Sequence, residues 1–417
     1  MNQSAKGEIL TTDGIPLKVS LKRAERLNKI RALALVLPLA LFIIITFAFP
    51  ILSMLLRSVD DKQINTVFPK TFEVYKQWDR KDLPPEELYA TIFHEILNAE
   101  KLQIGKASTR MNYSKSGWKS LLKKSKRKFK KIKEGPYKEQ MIKADKRWGQ
   151  IEFWKALGEM VDPITFGYYL NAVDLKYDSD KNVIQQPENR RVYNSTWIKT
   201  LKVSVLVTLF TLLLGYPVAY LLATLPLKYS NLLMIFVLLP FWTSLLVRTV
   251  SWIVILMQKG IFNSILVWGG VIADENRMQL IYNQTGTLIA MTQILLPFMV
   301  LPLYSVMKTI PPTYMRAALN LGAKPMHAFY RVYFPQSVPG ISAGGLLVFV
   351  LAIGYFITPA LVGGKDGQLI GHWIAYHLKT SLNWGLCSAL GAILLVVMLV
   401  LYWVYNKVVG IENIKLG

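Results

Sequence analysis

One charged side chain in this 417-residue chain lies inside an apolar block, and it is the side chain that most suggests a chemical role. Arg248 stands in the third such block, and charged residues inside membrane spans are costly and usually functional. Its guanidinium can pair with a substrate carboxylate, a backbone carbonyl or an acidic residue of a partner subunit, or it can extend to the membrane surface. The aromatic side chains expected near a cationic ligand are also present in the blocks, at Trp242, Trp252, Tyr304, Tyr355 and Phe356.

Motifs for catalysis are absent from the sequence. The segment Gly363-Gly364-Lys365-Asp366 lacks the first glycine and the Ser/Thr of an ATP-binding loop. There is no serine nucleophile elbow and no H-E-x-x-H motif. His372 and His377 are five residues apart, which is not the usual helical ligand pair, and the single Cys387 excludes a cysteine cluster. We therefore expect no catalytic residue, no metal site and no cofactor in this chain.

Composition and charge indicate a membrane protein. The chain is 52% hydrophobic with a mean hydropathy of +0.31, and its apolar residues are concentrated in long blocks. The net charge of +23 first suggests nucleic acid. Much of it lies in flanks and loops, however, where basic residues set topology and attract anionic lipid. Membrane lipid is therefore expected as a partner and nucleic acid is not.

Six apolar blocks and the positive-inside rule predict a multi-pass protein with both termini in the cytoplasm. The third block is placed at 232–257 and the fifth at 341–362. The predicted parts are a cytoplasmic N-terminal segment (1–31), a first transmembrane helix (32–56), a periplasmic insert (57–197), a five-helix core (198–407) containing a cytoplasmic loop (308–340), and a cytoplasmic tail (408–417).

The insert has the size of a soluble domain. Its segment 84–87 (Pro-Pro-Glu-Glu) predicts a helix start, with Leu88, Ile92 and Ile96 on one apolar face. Segment 116–133 carries nine basic residues, interrupted by apolar ones. Three interpretations remain open for it: a helix lying on lipid, a docking face for an acidic partner, or a solvated surface.

The loop 308–340 is a basic segment trapped between two apolar blocks. Thr313 can cap a helix beginning at Tyr314. The small pair Ala317 and Ala318 permits close approach of another surface, and Gly322 suits a helix C-terminus. A second helix is expected to end before Pro335. The pattern predicts a helix–turn–helix on the cytoplasmic face.

The order of short motifs in this loop resembles the EAA loop of binding-protein-dependent ABC importer permeases. The motifs are Ala-Ala, then Leu-Gly-Ala, then Phe-Pro and Pro-Gly-Ile. The matching residues are Ala317, Ala318, Gly322 and Pro335, while Arg316 stands where the family usually has an acid. Arg316 and Ala323 complete the set of residues predicted to couple this loop to the ATPase subunits of such an importer. Segments 239–253 and 355–364 resemble the spermidine/putrescine type of these permeases. The resemblance covers about residues 198–410 and the first span, but not the insert.

The resemblance implies an all-α membrane protein with the six-helix type I ABC importer permease fold. The positions of the apolar blocks add a large extracytoplasmic insert between helices 1 and 2. It implies a non-catalytic subunit in the bacterial inner membrane. It also implies three protein partners: a dimer of ABC ATPases, which binds ATP and Mg, a second and different permease, and a periplasmic solute-binding protein, which the insert is expected to contact. The ATPases shift the pathway between outward- and inward-facing states.

The class of substrate can be considered from the translocation pathway through the spans. Its candidate residues are Thr243, Ser244, Arg248, Trp252, Gln293, Tyr355 and Thr358. The resemblance implies a polyamine such as putrescine or spermidine. No Asp or Glu lies well inside a block, so a cation pathway needs carboxylates from the second permease. Alternatively the substrate carries its own carboxylate, as an amino acid, ω-amino acid or opine does.

Two other classes are weighed against the permease. A membrane sensor with an extracellular ligand domain requires a cytoplasmic output domain, and the predicted tail is too short for one. A membrane-embedded enzyme that holds a lipid on the insert requires clustered His, Asp or Ser at one membrane face, and the sequence shows no such cluster.

Overall fold

The computed structural model describes residues 17–178 and 182–409. It divides into two compact units, residues 1–57 and 58–417, and each is described by itself. The first part of the predicted N-terminal segment (1–16) and most of the predicted tail (410–417) lie outside the described residues.

The first unit is one long helix. It comprises Leu17–Ile43, a π turn at Ile44–Ala48 and Phe49–Arg57, and its portion Asn28–Arg57 is long and apolar enough to cross a membrane. The hydroxyl of Thr46 donates to the Phe42 carbonyl, so this polar group is satisfied within the helix. This is span 1, and it overlaps the predicted helix 32–56.

Six helices among the described residues are long and apolar enough to cross a membrane, as the sequence predicted. Shorter helices connect them, because Pro, Gly and Ser interrupt the apolar blocks. After span 1, the candidate spans are span 2 (Tyr193–Thr224), span 3 (Leu245–Trp268), span 4 (Gln284–Thr309), span 5 (Pro325–Gly354) and span 6 (Trp384–Lys407). The connecting helices are Leu227–Leu238, Leu239–Trp242, Asp274–Asn276, Pro312–Asn320, Ile357–Val362 and Ile370–Lys379.

Spans 2, 4 and 5 pack against one another and form the centre of the membrane part. Small residues allow the backbones to approach closely, as is usual between membrane helices. A Cβ placed on Gly340 of span 5 would lie 3.2 Å from the Leu303 Cα, and one on Gly344 would lie 3.0 Å from the Met299 carbonyl oxygen. Larger residues at these two glycines would push span 5 away from span 4.

Two predicted spans have other bounds in the structure. The third block was predicted as one helix over 232–257, but it is broken at Thr243 and Ser244, and the following span is itself interrupted before Gly260. The fifth span was predicted to begin at Ile341, but it begins at Pro325. In both cases the apolar composition marked the membrane region but did not show where the backbone breaks.

The insert between spans 1 and 2 is mostly helical with its own hydrophobic core. Three fully buried tryptophans, Trp118, Trp148 and Trp154, lie at its centre. The helix predicted after Pro84 begins at Glu86 and buries Leu88, Ile92 and Ile96 as expected. The α-helices are Lys62–Asn65, Pro69–Tyr75, Glu86–Asn98, Lys101–Ser114, Trp118–Phe129, Tyr137–Ala144, Ile151–Leu157 and Gly167–Asn171. The short 3-10 helices are Lys146–Gly149, Gly158–Met160 and Glu188–Arg190.

The end of the insert contains the two strands of the described chain. Leu175–Tyr177 pairs antiparallel with Val183–Gln185, with Lys176 opposite Ile184. The hairpin leads into span 2, whose first backbone N–H groups are capped by the Asp174 carboxylate at 3.0 Å from Tyr193 N and 2.8 Å from Asn194 N. A carboxylate at a helix N-terminus satisfies free donors and complements the helix dipole.

The insert is attached to the loop between spans 5 and 6. The Tyr113 hydroxyl donates to the Ser381 carbonyl, and the ring of Tyr168 packs on Gly385 so closely that no Cβ fits there. The insert and this loop therefore meet at one end of the bundle, here called the insert end. Alternating spans place the loop between spans 4 and 5 at the opposite end.

Candidate functional site

The loop between spans 4 and 5 contains an isolated helix, Pro312–Asn320, here called the docking helix. Gly322 ends it with φ +86°, a left-handed conformation that glycine adopts without strain. Ala323 N donates to the Ala318 carbonyl at 3.1 Å and Gly322 N to the Leu319 carbonyl at 3.0 Å. These two bonds form the Schellman motif, which fixes the direction of the chain after the helix.

The docking helix presents apolar side chains to solvent. Leu321 at its end is 89% exposed and Met326 just beyond it is 66% exposed. Arg316 and Ala317 are also exposed, while Ala318 and Ala323 are half-buried. Five of the six predicted coupling residues therefore lie on or directly after one short helix, and Pro335 lies further along in span 5.

Aromatic side chains hold this loop to the end of span 2. The Tyr220 ring lies 5.6 Å from the Phe329 ring and 5.1 Å from the Tyr333 ring, both edge-on. The Tyr216 hydroxyl and the Ser337 hydroxyl are 2.9 Å apart. Edge-to-face ring pairs are favourable beyond their buried area, so a displacement of the docking helix would be transmitted to spans 2 and 5.

Two details of the predicted loop are wrong. The docking helix begins at Pro312 with Pro311 as its cap residue, so Thr313 does not cap it. Pro335 does not end a second helix: the helix from Pro325 passes through a π turn at Phe329–Tyr333 into Phe334–Gly354. Pro335 therefore lies inside a continuous helix, directly after the π turn.

Two of the helix breaks in the membrane part fall at predicted pathway residues. Thr243 and Ser244 have extended backbone, and Ser244 Oγ accepts from Val247 N at 3.2 Å to start the next helix. Tyr355 is also extended, between Phe334–Gly354 and Ile357–Val362. Broken helices in transporters expose backbone groups and helix ends to the substrate site. Both breaks fall where sequence analysis placed candidate residues.

Side chains join the helices that follow the two breaks. Thr249 and Thr358 have hydroxyl oxygens 3.1 Å apart, and both residues are fully buried. The Trp252 Nε1 donates to Gln293 Oε1 at 2.9 Å and links span 3 to span 4. Both pairs hold the start of span 3 against its neighbours.

Arg248 has an unusual environment. Its Nε is buried and has no hydrogen-bond partner among the described residues. Buried polar atoms are nearly always paired, and an unpaired one on a charged group is costly. The atom is therefore a candidate contact for a group outside this chain.

The seven predicted pathway residues divide into two groups. Arg248, Trp252, Gln293, Tyr355 and Thr358 lie on or directly beside the helices that the Thr249–Thr358 and Trp252–Gln293 bonds join. Thr243 and Ser244 form the first break itself and are exposed. Thr249 was missed, although its signal was present: it is a polar residue beside Arg248 in an apolar block.

A second polar cluster, at the insert end, was also missed. His377 Nε2 lies 2.7 Å from the Tyr193 hydroxyl and His377 Nδ1 lies 2.8 Å from the Ser381 hydroxyl. Burial lowers the pKa of His377 to about 4, so the ring is neutral near pH 7. Among described residues no group of three His, Cys, Asp or Glu side chains can hold a metal ion.

Residues 212–409 match the family described as the binding-protein-dependent transport system inner membrane component. The chain is 37% identical over 215 residues to the spermidine/putrescine transport system permease protein PotB of Salmonella typhimurium, covering 51% of this chain and 74% of that relative. Against PotB of Escherichia coli K12 the identity is 36% over 228 residues, covering 53% of this chain and 82% of that relative.

Solved structures also match. A bacterial alginate ABC transporter, in complex with an alginate pentasaccharide-bound periplasmic protein, aligns with a TM-score of 0.44 and 19% identity, over 52% of this chain and 77% of that chain. The matched family region leaves out the insert. By its identity to the PotB relatives and its match to the family model, this chain belongs to the binding-protein-dependent inner membrane transport components, the permeases of ABC importers.

Proposed function

We propose that this chain is the subunit that carries a polyamine such as putrescine or spermidine across the inner membrane, in an importer driven by ATP. Its relatives at 36–37% identity are spermidine/putrescine permeases. The observation that carries the coupling part of the proposal is the exposed apolar end of the docking helix, at Leu321. Leu319 and Met326, within a few residues of it, are also exposed, and a group of exposed apolar side chains is typical of a protein–protein contact.

The docking helix contacts an ATPase dimer, and ATP and Mg are bound there rather than in this chain. Nucleotide binding favours one conformation of the ATPases, and the docking helix passes that preference to the spans. Tyr216, Tyr220 and Phe329 are the side chains through which span 2 receives the displacement. Arg316 is exposed, so it meets an acidic or neutral patch of the ATPase.

The proposed topology places the docking helix and both termini in the cytoplasm and the insert in the periplasm. The basic residues of the loop between spans 4 and 5, which include Lys308, Arg316, Lys324 and Arg331, support this orientation through the positive-inside rule. The insert, although basic, is long enough to be translocated regardless of its charge. It then lies where a solute-binding protein arrives.

The pathway runs past the two helix breaks. Gly354, at the end of the long helix of span 5, and the extended Tyr355 offer backbone carbonyls, which favour a cation. Trp252 and Tyr355 add aromatic faces. The spans of this chain contain no Asp or Glu, so the carboxylates for a polyamine come from a second permease subunit, and the unpaired Nε of Arg248 faces one of these groups.

One observation favours a second candidate, a substrate with its own carboxylate. Arg248 Nε is buried without a partner among the described residues, and an arginine is the usual partner of a carboxylate. An amino acid, ω-amino acid or opine would pair with it directly. Competition of such a compound against a polyamine distinguishes the two substrates.

The coupling proposal is tested by Leu321→Asp in the complete transporter. We expect the amount of ATPase that co-purifies with this chain to fall about 10-fold or more, as for a central interface residue. The level in the membrane should not change, because the side chain is exposed. The matched control is Leu102→Asp, a leucine of the insert that is 67% exposed. Unchanged co-purification of the Leu321→Asp variant would contradict the docking assignment.

A further inference from the structure

The most basic surface of the insert lies on the helix Trp118–Phe129, here called the basic helix. Segment 116–133 contains nine basic residues and no acidic one. The apolar residues between them, Trp118, Leu121, Leu122 and Phe129, are fully buried in the insert core. The basic helix therefore has no free apolar face to place in a bilayer, which disfavours the lipid-lying helix that the sequence left open.

Three of the nine charges are used to fold the insert. Lys124 Nζ lies 3.6 Å from an Asp145 carboxylate oxygen. Lys126 Nζ donates to the carbonyls that end the helix Glu86–Asn98, including Ile96 O at 3.3 Å. Lys128 donates to the Ala144 carbonyl at the end of another helix. Basic side chains at helix C-termini satisfy free carbonyls.

Four others form a row, here called the basic ridge: Lys119, Lys123, Arg127 and Lys131. Each is exposed, and none forms an ion pair with a described residue. Lys119, Lys123 and Arg127 are four residues apart in the basic helix, so they lie along one side of its surface over about 12 Å at 1.5 Å per residue. Lys131 follows in the turn directly after the helix. Like charges four residues apart in a helix repel each other and destabilise it, so these side chains oppose the folding of the basic helix.

The ridge belongs to the part of the insert that meets the membrane core. The basic helix packs on the helix Lys101–Ser114. That helix carries Tyr113, which donates to Ser381 in the loop between spans 5 and 6, and Arg110, which forms an ion pair with the buried Asp61 at 2.5 Å. A protein bound to the ridge would therefore be held by helices that are attached to the membrane-spanning bundle.

We propose that the basic ridge docks an acidic surface of the solute-binding protein that delivers the substrate; this rests on the proposed import of a polyamine. A protein that captures a polycation attracts it with a negative field around its mouth. A row of uncompensated cations matches such a field, speeds association and fixes orientation. Once docked, the ridge competes with the substrate for the same carboxylates, so docking favours release of the polyamine.

The test uses the complete transporter in nanodiscs of neutral phosphatidylcholine, with its purified binding protein. The ridge variant is K119Q/K123Q/R127Q/K131Q. We expect the binding-protein concentration that half-stimulates the ATPase to rise about 10-fold at low salt, with little change in the maximal rate. The difference from wild type should shrink at 0.5 M salt, where the Debye length is only about 4–5 Å. Polyamine release on docking should also slow.

The matched control removes four other exposed charges of the insert, in K70Q/K76Q/K81Q/K101Q. An equal rise in that control would reduce the effect to net charge and overturn the proposal. An effect of the ridge variant that appears only in anionic lipid would assign the ridge to the bilayer surface and overturn it as well.

Failure of the proposed function looks different, since the wild-type transporter itself would then not respond to a polyamine-loaded binding protein. If the four-fold variant is not recovered from the membrane, the single reversal Lys123→Glu replaces it. If the binding-protein concentration that half-stimulates the ATPase is unchanged in that variant, the proposal is overturned as well.

Discussion

Trp252 Nε1 donates a hydrogen bond of 2.9 Å to Gln293 Oε1 and ties span 3 to span 4, one helical turn from Arg248. Both partners are half-buried, so the bond is made where water competes poorly. Removal of one partner leaves the other without a hydrogen bond, which costs more than the net value of the pair.

Gln293→Leu should therefore destabilise the protein by about 1–3 kcal/mol and lower uptake. The double variant Trp252→Phe with Gln293→Leu should recover part of that stability, because it leaves no orphan donor. A thermal-unfolding double-mutant cycle measures the coupling, with Ser251→Ala as a control beside Trp252. Additive effects would show that the bond does not link the two spans.

Arg248→Gln should reduce uptake about 10-fold or more. A hydrogen bond to a charged group contributes about 1.5–3 kcal/mol, and each 1.36 kcal/mol changes a rate tenfold. Membrane level and co-purification of the ATPase should stay unchanged. Arg277→Gln is the matched control, because Arg277 lies in the loop between spans 3 and 4 and pairs with Asp274 at 2.7 Å. Full uptake by the Arg248→Gln variant would remove this residue from the pathway.

Gly322→Ala should weaken ATPase co-purification through backbone strain alone. No atom lies within 4 Å of a Cβ at this position, but φ is +86°. A left-handed conformation costs a non-glycine residue about 1–2 kcal/mol. Asparagine adopts it more readily than alanine, so Gly322→Asn should be milder. Gly391→Ala, an equally open glycine inside span 6, is the control and should be neutral. Equal loss in the two alanine variants would exclude the Schellman turn as the cause.

The buried ring of His377 should make the stability of the folded protein depend on pH. Its pKa is lowered to about 4 by burial, whereas an unfolded histidine titrates near 6.5. Between these values the unfolded chain binds a proton that the folded protein does not, so stability rises with pH. The contribution is complete above about pH 6.5 and is lost as pH falls to about 4, at about 3 kcal/mol in total.

The groups that face His377 are Tyr193, Ser381, Trp373 and Tyr376, all without charge near pH 6. His377→Gln should therefore flatten the dependence of Tm on pH from 4 to 6.5, measured on the purified protein as a difference from wild type. His327→Gln, at an exposed histidine of the loop between spans 4 and 5, should leave the slope unchanged. An unchanged slope in the His377→Gln variant would contradict a neutral, buried ring.

Sequence reasoning recovered the elements whose signal is local. The Pro-Pro-Glu-Glu start before Leu88, the glycine turn at Gly322 and the apolar blocks all depend on neighbours within a few residues. It did not recover the break at Thr243, because apolar composition is the same for a continuous and a broken helix. Pro335 was read as a stop because a π turn, which lets a helix continue past it, has no clear sequence pattern.

Contacts between residues far apart in the chain could not be predicted from the sequence, for a different reason. Trp252 and Gln293 were each assigned to the pathway, but their bond spans 41 positions and requires the packing of spans 3 and 4. The cluster of Tyr193, His377 and Ser381 joins segments that are 184 positions apart. A single sequence carries no signal for such a contact, so the attachment of span 2 to the loop between spans 5 and 6 emerged only from the structure.

Uptake of labelled putrescine and spermidine into proteoliposomes decides whether this chain carries polyamines. These contain this chain with its second permease and ATPase, and the loaded binding protein is supplied outside and ATP inside. If this chain imports polyamines, their accumulation requires ATP and the binding protein, falls about 10-fold or more with Arg248→Gln, and resists competition by an excess of an ω-amino acid. ATP-dependent uptake of the ω-amino acid with none of either polyamine would contradict polyamine import.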